Sequence, residues 1–237
     1  MIKLLLAIFA AAKAGKILTT AGTMLISVGA YALLYGWRYA TGLVLLIFVH
    51  EMGHFVAARQ KGLEVGAPTF IPFVGAWVAL KDTPMNVQTE AYVGLAGPLV
   101  GSVGALLCYF LARAYGSPLL LALAYAGFFI NLFNLIPLSP FDGGRITAIL
   151  SPRVWLVGAP MLLALFLWRP SPLLVVMAIL AAPQVMKAFR YNPAAPENAG
   201  YYASTPEDKL VYATMYIGLA AFLAIMSYDT KAMIEPG

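Results

Sequence analysis

The chain has 237 residues, of which 62% are hydrophobic and only 11% are charged, and its mean hydropathy is +0.83. This is the composition of a membrane protein, and no stretch of any length is typical of a separate soluble domain. The formal net charge of +5 fits basic loops beside anionic lipid, so nucleic-acid binding is not expected.

The first 36 residues divide into two predicted parts. Residues 1–16 are apolar and basic but too short to span a bilayer comfortably, so we expect a surface or partly inserted helix there. Residues 17–36 are the first spanning candidate. The Trp37-Arg38-Tyr39 sequence that follows is typical of the membrane interface.

The second spanning candidate, residues 40–59, carries a His-Glu-x-x-His pattern. Residues four apart share one face of a helix, so His50 and His54 can present their imidazoles to one metal ion. Glu51 stands beside them, placed to accept a proton from a water that the metal activates. The alternative is a pair of histidines satisfied by packing. Ionisable groups inside a membrane helix are costly and usually functional, which favours the metal site.

The connection from 62 to 82 contains a second unusual segment, residues 67–80. It is apolar, rich in β-branched and aromatic residues, and interrupted by prolines and glycines, which favours a short β-hairpin or re-entrant segment over a helix. Irregular backbone at membrane depth must be covered by protein or line a cavity. A loop lying flat on the lipid surface is the equal alternative.

Five Ser-Pro or Thr-Pro pairs predict where the later helices begin, because Ser or Thr caps a helix whose first residue is proline. Each pair opens an apolar run that is long enough, or nearly so, to span a membrane. The fold class we predict is therefore all-α and polytopic, with about six to seven transmembrane helices and the small β segment. The five runs are 84–113, 118–136, 152–168, 172–189 and 206–228.

The basic residues predict the orientation of these helices. Threading them alternately through a bilayer puts eleven of the fifteen Lys and Arg residues on one side, which the positive-inside rule makes cytoplasmic. His54 then lies about 7–8 Å of helix rise from the cytoplasmic end of its helix. We accordingly expect an integral protein of a prokaryotic cell membrane, with its N-terminus and active-site opening on the cytoplasmic side. The four exceptions are Arg38, Arg113, Arg169 and Lys231.

A third metal ligand is needed if two histidines are to hold zinc with one position left open. Asp142 is the strongest candidate among the few carboxylates in apolar surroundings, and we expect Gly143-Gly144 to give it a sharp turn with unusual backbone angles. The alternative is an aspartate that only caps a turn. Asn131 and Asn134 are amides in apolar surroundings that require partners, either in a neighbouring helix or in an extended peptide.

The sequence HEMGH on a membrane helix, followed some eighty residues later by NLIPLSPFDGGR, resembles the site-2 protease family of intramembrane zinc metalloproteases. That family's second pattern, N-x-x-P-x-x-P-x-D-G, matches from Asn134 to Gly143. Gly97-Pro98 resembles the Gly-Pro motif on the family's third core helix, and residues 67–80 resemble its membrane-associated β region. We expect a compact member without PDZ or CBS domains.

The resemblance implies a role for each site residue. His50, His54 and Asp142 would bind one zinc ion per chain, and Glu51 would be the catalytic base. Asn134, and with it Asn131, would contact the substrate or its oxyanion.

The function predicted in this way is proteolysis within or near the transmembrane segments of other membrane proteins, with a transmembrane protein as substrate and the bilayer as surroundings. We divide the chain into an N-terminal part, 1–36, a catalytic membrane core, 37–150, and C-terminal helices, 151–237. Two alternatives stay open. One is a metal-ion transporter that uses the same cluster as a transit site, and the other is a membrane protease of the prenyl-protein type.

Overall fold

The computed structural model describes residues 2–77 and 86–235, and most of both stretches is α-helical. A single 3-10 turn, Pro152–Val154, leads into the sixth helix. The elements are α1 (Ile2–Tyr35), α2 (Trp37–Gln60), β1 (Thr69–Ile71), β2 (Gly75–Trp77), α3 (Val87–Tyr115), α4 (Pro118–Asn134), α5 (Asp142–Thr147), α6 (Trp155–Trp168), α7 (Pro172–Phe189), α8 (Pro196–Ala199) and α9 (Pro206–Ile234).

The N-terminal region forms one helix where two parts were predicted. Helix α1 runs without interruption from Ile2 to Tyr35, because no proline breaks it. It ends at Gly36, whose φ of 78° is a conformation that glycine adopts without steric cost. Helix α2 begins directly afterwards, so the residues 37–39 that are typical of a membrane interface form its first turn.

Five helices of the described residues are long and apolar enough to cross a membrane, and the count of six to seven spans stays a prediction. They are α2, α3, α7, α9 and the Leu18–Tyr35 part of α1. Helix α4 and the Pro152–Trp168 run are equally apolar but shorter, at 17 residues or fewer, which is about 25 Å of rise against a hydrocarbon core of about 30 Å. Large apolar side chains cover the outer surface, as lipid contact requires; they include Leu33, Leu107 and Trp168, which are 87%, 60% and 72% exposed.

Helix α3 lies at the centre of the protein and contacts α2, α4, α5 and α9. Its N-terminus is capped by Asn86, whose side chain accepts a hydrogen bond from the Thr89 backbone N–H. The cap predicted at Thr83-Pro84 lies outside the described residues. The four other predicted caps are confirmed, since each side chain accepts a hydrogen bond from the first turn of its helix: Ser117, Ser151, Ser171 and Thr205.

The C-terminal helices attach to this centre in two ways. Helix α9 packs on α3 and α4, and its Leu219 and Leu223 share a core with Phe128. Helices α6 and α7 pack against each other as a hairpin and join the rest through a separate core around Trp155. The indole N–H of Trp155 donates to the Gly144 carbonyl at 2.8 Å, which fixes α6 against the short helix α5.

The predicted hairpin is present. Strands β1 and β2 pair antiparallel, with Phe70 opposite Ala76, and the predicted residues 78–80 lie outside the described residues. Helix α1 holds the hairpin, because the Thr23 hydroxyl accepts from the Phe70 N–H at 3.3 Å and the Tyr31 hydroxyl accepts from the Phe73 N–H at 3.1 Å. The Phe70 side chain is 3% exposed, so protein covers one side of this non-helical segment.

Candidate metal centre

Three predicted ligands meet inside the helical bundle. His50 and His54 lie one turn apart on α2, and Asp142 is the first residue of α5; all three are at least 92% buried. The Nε2 atom of His50 lies 3.1 Å from Nε2 of His54 and 3.1 Å from Oδ2 of Asp142. Nε2 of His54 lies 3.2 Å from Oδ1 of Asp142. The fold therefore joins residues that are 92 positions apart in the chain.

The outer nitrogens of both imidazoles face hydrogen-bond acceptors. Nδ1 of His50 lies 2.7 Å from Oδ1 of Asn131, and Nδ1 of His54 lies 2.8 Å from the Val93 carbonyl oxygen. Because both partners only accept, neutral imidazoles carry their hydrogens on Nδ1. Their Nε2 lone pairs then point at each other and at the Asp142 carboxylate.

This arrangement fits a divalent metal ion. Three lone-pair donors that converge in a buried site repel one another unless a cation lies between them. Ligand atoms about 2.0–2.1 Å from zinc stand roughly 3.3 Å apart in a tetrahedron, close to the separations observed here. Among the described residues, these three form a group whose ligand atoms all lie within 4.8 Å of one another. Nitrogen from two histidines and oxygen from one carboxylate is a donor set that zinc accepts.

Glycines on α2 and α3 let the two helices approach at the site. A Cβ atom at Gly53 would overlap the Ala96 carbonyl, and a Cβ atom at Gly97 would overlap the imidazole of His54. Gly94 and Gly104 are less tightly packed, with nearest neighbours at 3.1 Å and 3.3 Å from an added Cβ. The spacing of the glycines on α3 is typical of close helix packing. Two of them pack against the site: Gly97 against His54, and Gly101 against Asn131.

The turn that carries Asp142 differs from the one predicted. Gly143 and Gly144 lie inside helix α5 and neither has a positive φ, so unusual backbone angles are not the reason for the glycine pair. A Cβ atom at Gly143 would overlap the Leu135 carbonyl, and one at Gly144 would overlap the Ser139 backbone. The pair allows α5 to pack against the chain that leaves α4, and that contact brings Asp142 to the histidines.

Glu51 lies beside the three ligands. It is 5% exposed and within electrostatic reach of His50, His54 and Asp142. Glu51 directly follows His50 on α2, and its role as catalytic base stays a prediction.

The two asparagines occupy different surroundings. Asn131 is 3% exposed, and its amide is bonded to His50 on one side and to the Gly127 carbonyl on the other. Asn134 is half-buried, and its Nδ2 donates to the Ile130 carbonyl at 3.1 Å. The substrate contacts predicted for Asn131 and Asn134 stay predictions.

A polar network that the sequence reasoning missed lies behind Asp142. Nη1 of Arg145 is 4.0 Å from Oδ1 of Asp142, and Nε of Arg145 is 4.0 Å from Oε1 of Glu90 on α3. The hydroxyl of Tyr201 donates to the other oxygen of Glu90, and the Tyr201 carbonyl accepts from the Val87 N–H at 2.9 Å. These contacts tie the connection between α8 and α9 to α3 and, through Arg145, to α5, the helix that carries Asp142. The Arg145–Glu90 and Tyr201–Glu90 contacts join residues 55 and 111 positions apart, so no local pattern in the sequence predicts them.

This network predicts a pH effect on stability. Burial and the adjacent Glu90 carboxylate raise the pKa of Tyr201 above its ordinary value of 10.0. A raised pKa means that the protonated phenol stabilises the fold fully below about pH 10, and that this contribution is lost as the pH rises further. In detergent, the melting temperature of the wild type should fall more steeply above pH 10 than that of Tyr201→Phe. Parallel curves for the two proteins would contradict the assignment.

Comparison with known proteins identifies the helices around the site. Residues 38–118, which include the His-Glu-x-x-His helix and α3, match Peptidase family M50. This segment of the chain is therefore similar to Peptidase family M50. This confirms the resemblance to site-2 proteases that the two motifs indicated, although Asp142 lies beyond the matched segment and joins the site through the fold.

Three relatives are similar to part of this chain. A zinc metalloprotease of Methanocaldococcus jannaschii is 35% identical over 121 residues, which is 47% of this chain and 35% of the relative. The Rip3 protein of Mycobacterium tuberculosis is 29% identical over 133 residues, 51% of this chain and 33% of the relative. The sll0528 protein of Synechocystis is 32% identical over 132 residues, 51% of this chain and 34% of the relative. The chain spans about a third of the length of these relatives.

Proposed function

We propose that this chain is an integral-membrane zinc metalloprotease that hydrolyses peptide bonds within or near the transmembrane segments of other membrane proteins. The observation that carries the proposal is the buried group of His50, His54 and Asp142 with Glu51 at its side, on a helix apolar enough to span a bilayer. The Methanocaldococcus relative, a zinc metalloprotease by name, supports the metal and the reaction class.

In this proposal His50, His54 and Asp142 hold one zinc ion per chain and leave a fourth position open. Zinc bound there would supply an activated water and polarise the scissile carbonyl. Glu51 accepts the proton of the attacking water and then delivers it to the leaving amine, as a general base that becomes a general acid. Glu51 is buried with the ligands, so few solvent molecules compete with it for that proton.

The substrate would be a transmembrane segment that unwinds locally, because an intact helix hides its peptide bonds. Its freed N–H and C=O groups need partners in the membrane, and an edge of the β1–β2 hairpin can supply them by strand addition. Helix α1 holds this hairpin in place through Thr23 and Tyr31. The half-buried amide of Asn134 is proposed to contact the extended substrate or its oxyanion.

The proposed orientation follows the distribution of positive charge. The N-terminus and the opening of the site would face the cytoplasm of a prokaryotic cell, and the water that hydrolyses the peptide bond would enter from that side. Cysteine-scanning with an impermeant maleimide at Gly62, between α2 and β1, tests this side directly.

The competing function is a metal-ion transporter with the same residues as a transit site. Comparing the membrane proteomes of cells that express wild type or Glu51→Gln distinguishes the two. The protease proposal predicts that single-pass proteins or their membrane stubs accumulate only with the variant. Unchanged proteomes together with altered metal uptake would favour the transporter.

A further inference from the structure

We infer that Asn131 is a positioning residue for the metal ligand His50, and that Gly101 is required because it gives the Asn131 amide its place. This inference rests on the proposed zinc site but assigns two residues that the reaction itself does not use. Asn131 on α4 and Gly101 on α3 thereby support the metal ligands without binding the metal themselves.

The first support is the orientation of the Asn131 amide. Its Nδ2 donates to the Gly127 carbonyl at 2.7 Å within the same helix, α4. Because a carbonyl only accepts, the nitrogen end of the amide must face Gly127, and the oxygen end must face Nδ1 of His50, 2.7 Å away. Turning the amide over would set two acceptors against each other at Gly127. The acceptor beside His50 is therefore fixed by the helix.

The second support is the effect of this acceptor on the ring. An acceptor at Nδ1 keeps the hydrogen of His50 on that atom and leaves the Nε2 lone pair directed at Asp142 and His54. Partners of this kind fix the tautomer and the ring plane of metal-binding histidines, and losing one typically weakens metal binding about 10–100-fold. His54 has the equivalent partner in the Val93 backbone carbonyl, which no side-chain substitution removes. Of these two hydrogen-bond partners, Asn131 is the one that a side-chain substitution can remove.

The third support is the space at Gly101. A Cβ atom at this position would overlap both Oδ1 and Nδ2 of Asn131. The overlap falls on the amide itself and not on the flexible end of a long side chain, so any side chain at 101 must displace the group that holds His50. At Gly104, one turn further along α3, the nearest neighbours of an added Cβ are Leu46 and Val49 side-chain atoms at 3.3 Å. A methyl group there meets apolar side chains that can shift slightly.

The experiment compares four variants of the full chain with the wild type in detergent. Zinc affinity is measured by competition with a coloured chelator, and size-exclusion chromatography checks that each protein is folded. Asn131→Leu keeps the approximate size of the side chain but removes the acceptor, and Asn131→Asp keeps the acceptor beside His50 but loses the donor to the Gly127 carbonyl. Gly101→Ala displaces the amide without changing residue 131, and Gly104→Ala is its matched control.

We expect zinc affinity to fall about 10–100-fold in Asn131→Leu and in Gly101→Ala. Asn131→Asp should recover part of the loss, because it restores the acceptor beside His50 but not the donor to the Gly127 carbonyl, and Gly104→Ala should match the wild type. Equal affinity in Asn131→Leu and wild type, or an equal loss in the Leu and Asp variants, would overturn the inference. If Asn131→Leu does not fold, Gly101→Ala against Gly104→Ala decides, and equal affinities in that pair overturn it. A wild-type chain without measurable zinc affinity would instead overturn the proposed function.

Discussion

Replacing Gly97 with alanine should abolish zinc binding while leaving the helices intact. An added Cβ at this position overlaps Nε2 of His54, the atom that must reach the metal, so the ring has to leave its place or the helices have to separate. Alanine favours a helix over glycine by about 1 kcal/mol, so α3 itself gains from the change. Zinc content after purification should fall at least about 100-fold, the combined result of a displaced ligand and a disturbed neighbour.

Gly104→Ala is the control for this result, because it makes the same chemical change on the same helix away from the histidines. It should keep both its zinc and its circular dichroism spectrum. If Gly97→Ala retained one zinc per chain, then His54 would not ligand the metal in the position described. If both variants lost zinc, the cause would be a general weakening of the contact between α2 and α3.

The second large effect is expected from Glu51→Gln. The substitution keeps the size and the hydrogen-bonding oxygen of the side chain but removes the group that accepts and returns the proton. Turnover should drop about 100- to 10,000-fold, the range of general acid–base catalysis. Zinc affinity should stay near that of the wild type, since Glu51 is not among the three ligands.

The measurement uses the substrate that the proteome comparison identifies, reconstituted with the purified protease, with kcat and zinc content determined on the same samples. Loss of turnover together with loss of zinc would mean that Glu51 acts through the metal site and not as a base. Full turnover by zinc-loaded Glu51→Gln would show that the proton moves through another group.

How much of this site the sequence predicts depends on how local its contacts are. The pair His50 and His54 is specified by one helical turn, so the spacing alone predicts a shared face. The helix starts at Ser117, Ser151, Ser171 and Thr205 are equally local, because a cap and the proline after it act within one turn. These predictions are confirmed.

Predictions that depend on tertiary contacts fared differently. The role of Gly143-Gly144 was assigned to backbone angles because glycine pairs often serve that purpose, whereas the structure uses them for close approach to Leu135 and Ser139. The same holds for Gly97 and Gly101: their helical spacing indicates packing, but only the fold shows that the packed groups are His54 and Asn131. Helical spacing predicts a helix face made of small residues, but it does not predict which groups pack against that face.

The N-terminal region is one continuous helix, and its Leu18–Tyr35 part agrees with the spanning segment predicted at residues 17–36. The count of six to seven spans stays a prediction, because α4 and the Pro152–Trp168 run are apolar but shorter than the five spanning candidates. The domain boundaries at 36 and 150 remain predictions.

The zinc content of Asp142→Asn is the most direct test of the proposed three-residue zinc site. Only the fold brings Asp142 to the two histidines, and Asp142 lies beyond the segment that matches the peptidase family. Wild type and Asp142→Asn would be purified in parallel, incubated with zinc, passed over a chelating resin and measured by mass spectrometry of the metal. If Asp142 is a zinc ligand, we expect close to one zinc ion per wild-type chain and less than about a tenth of that in the variant. Equal zinc in both proteins would contradict it, and would place the metal on the histidines without this carboxylate.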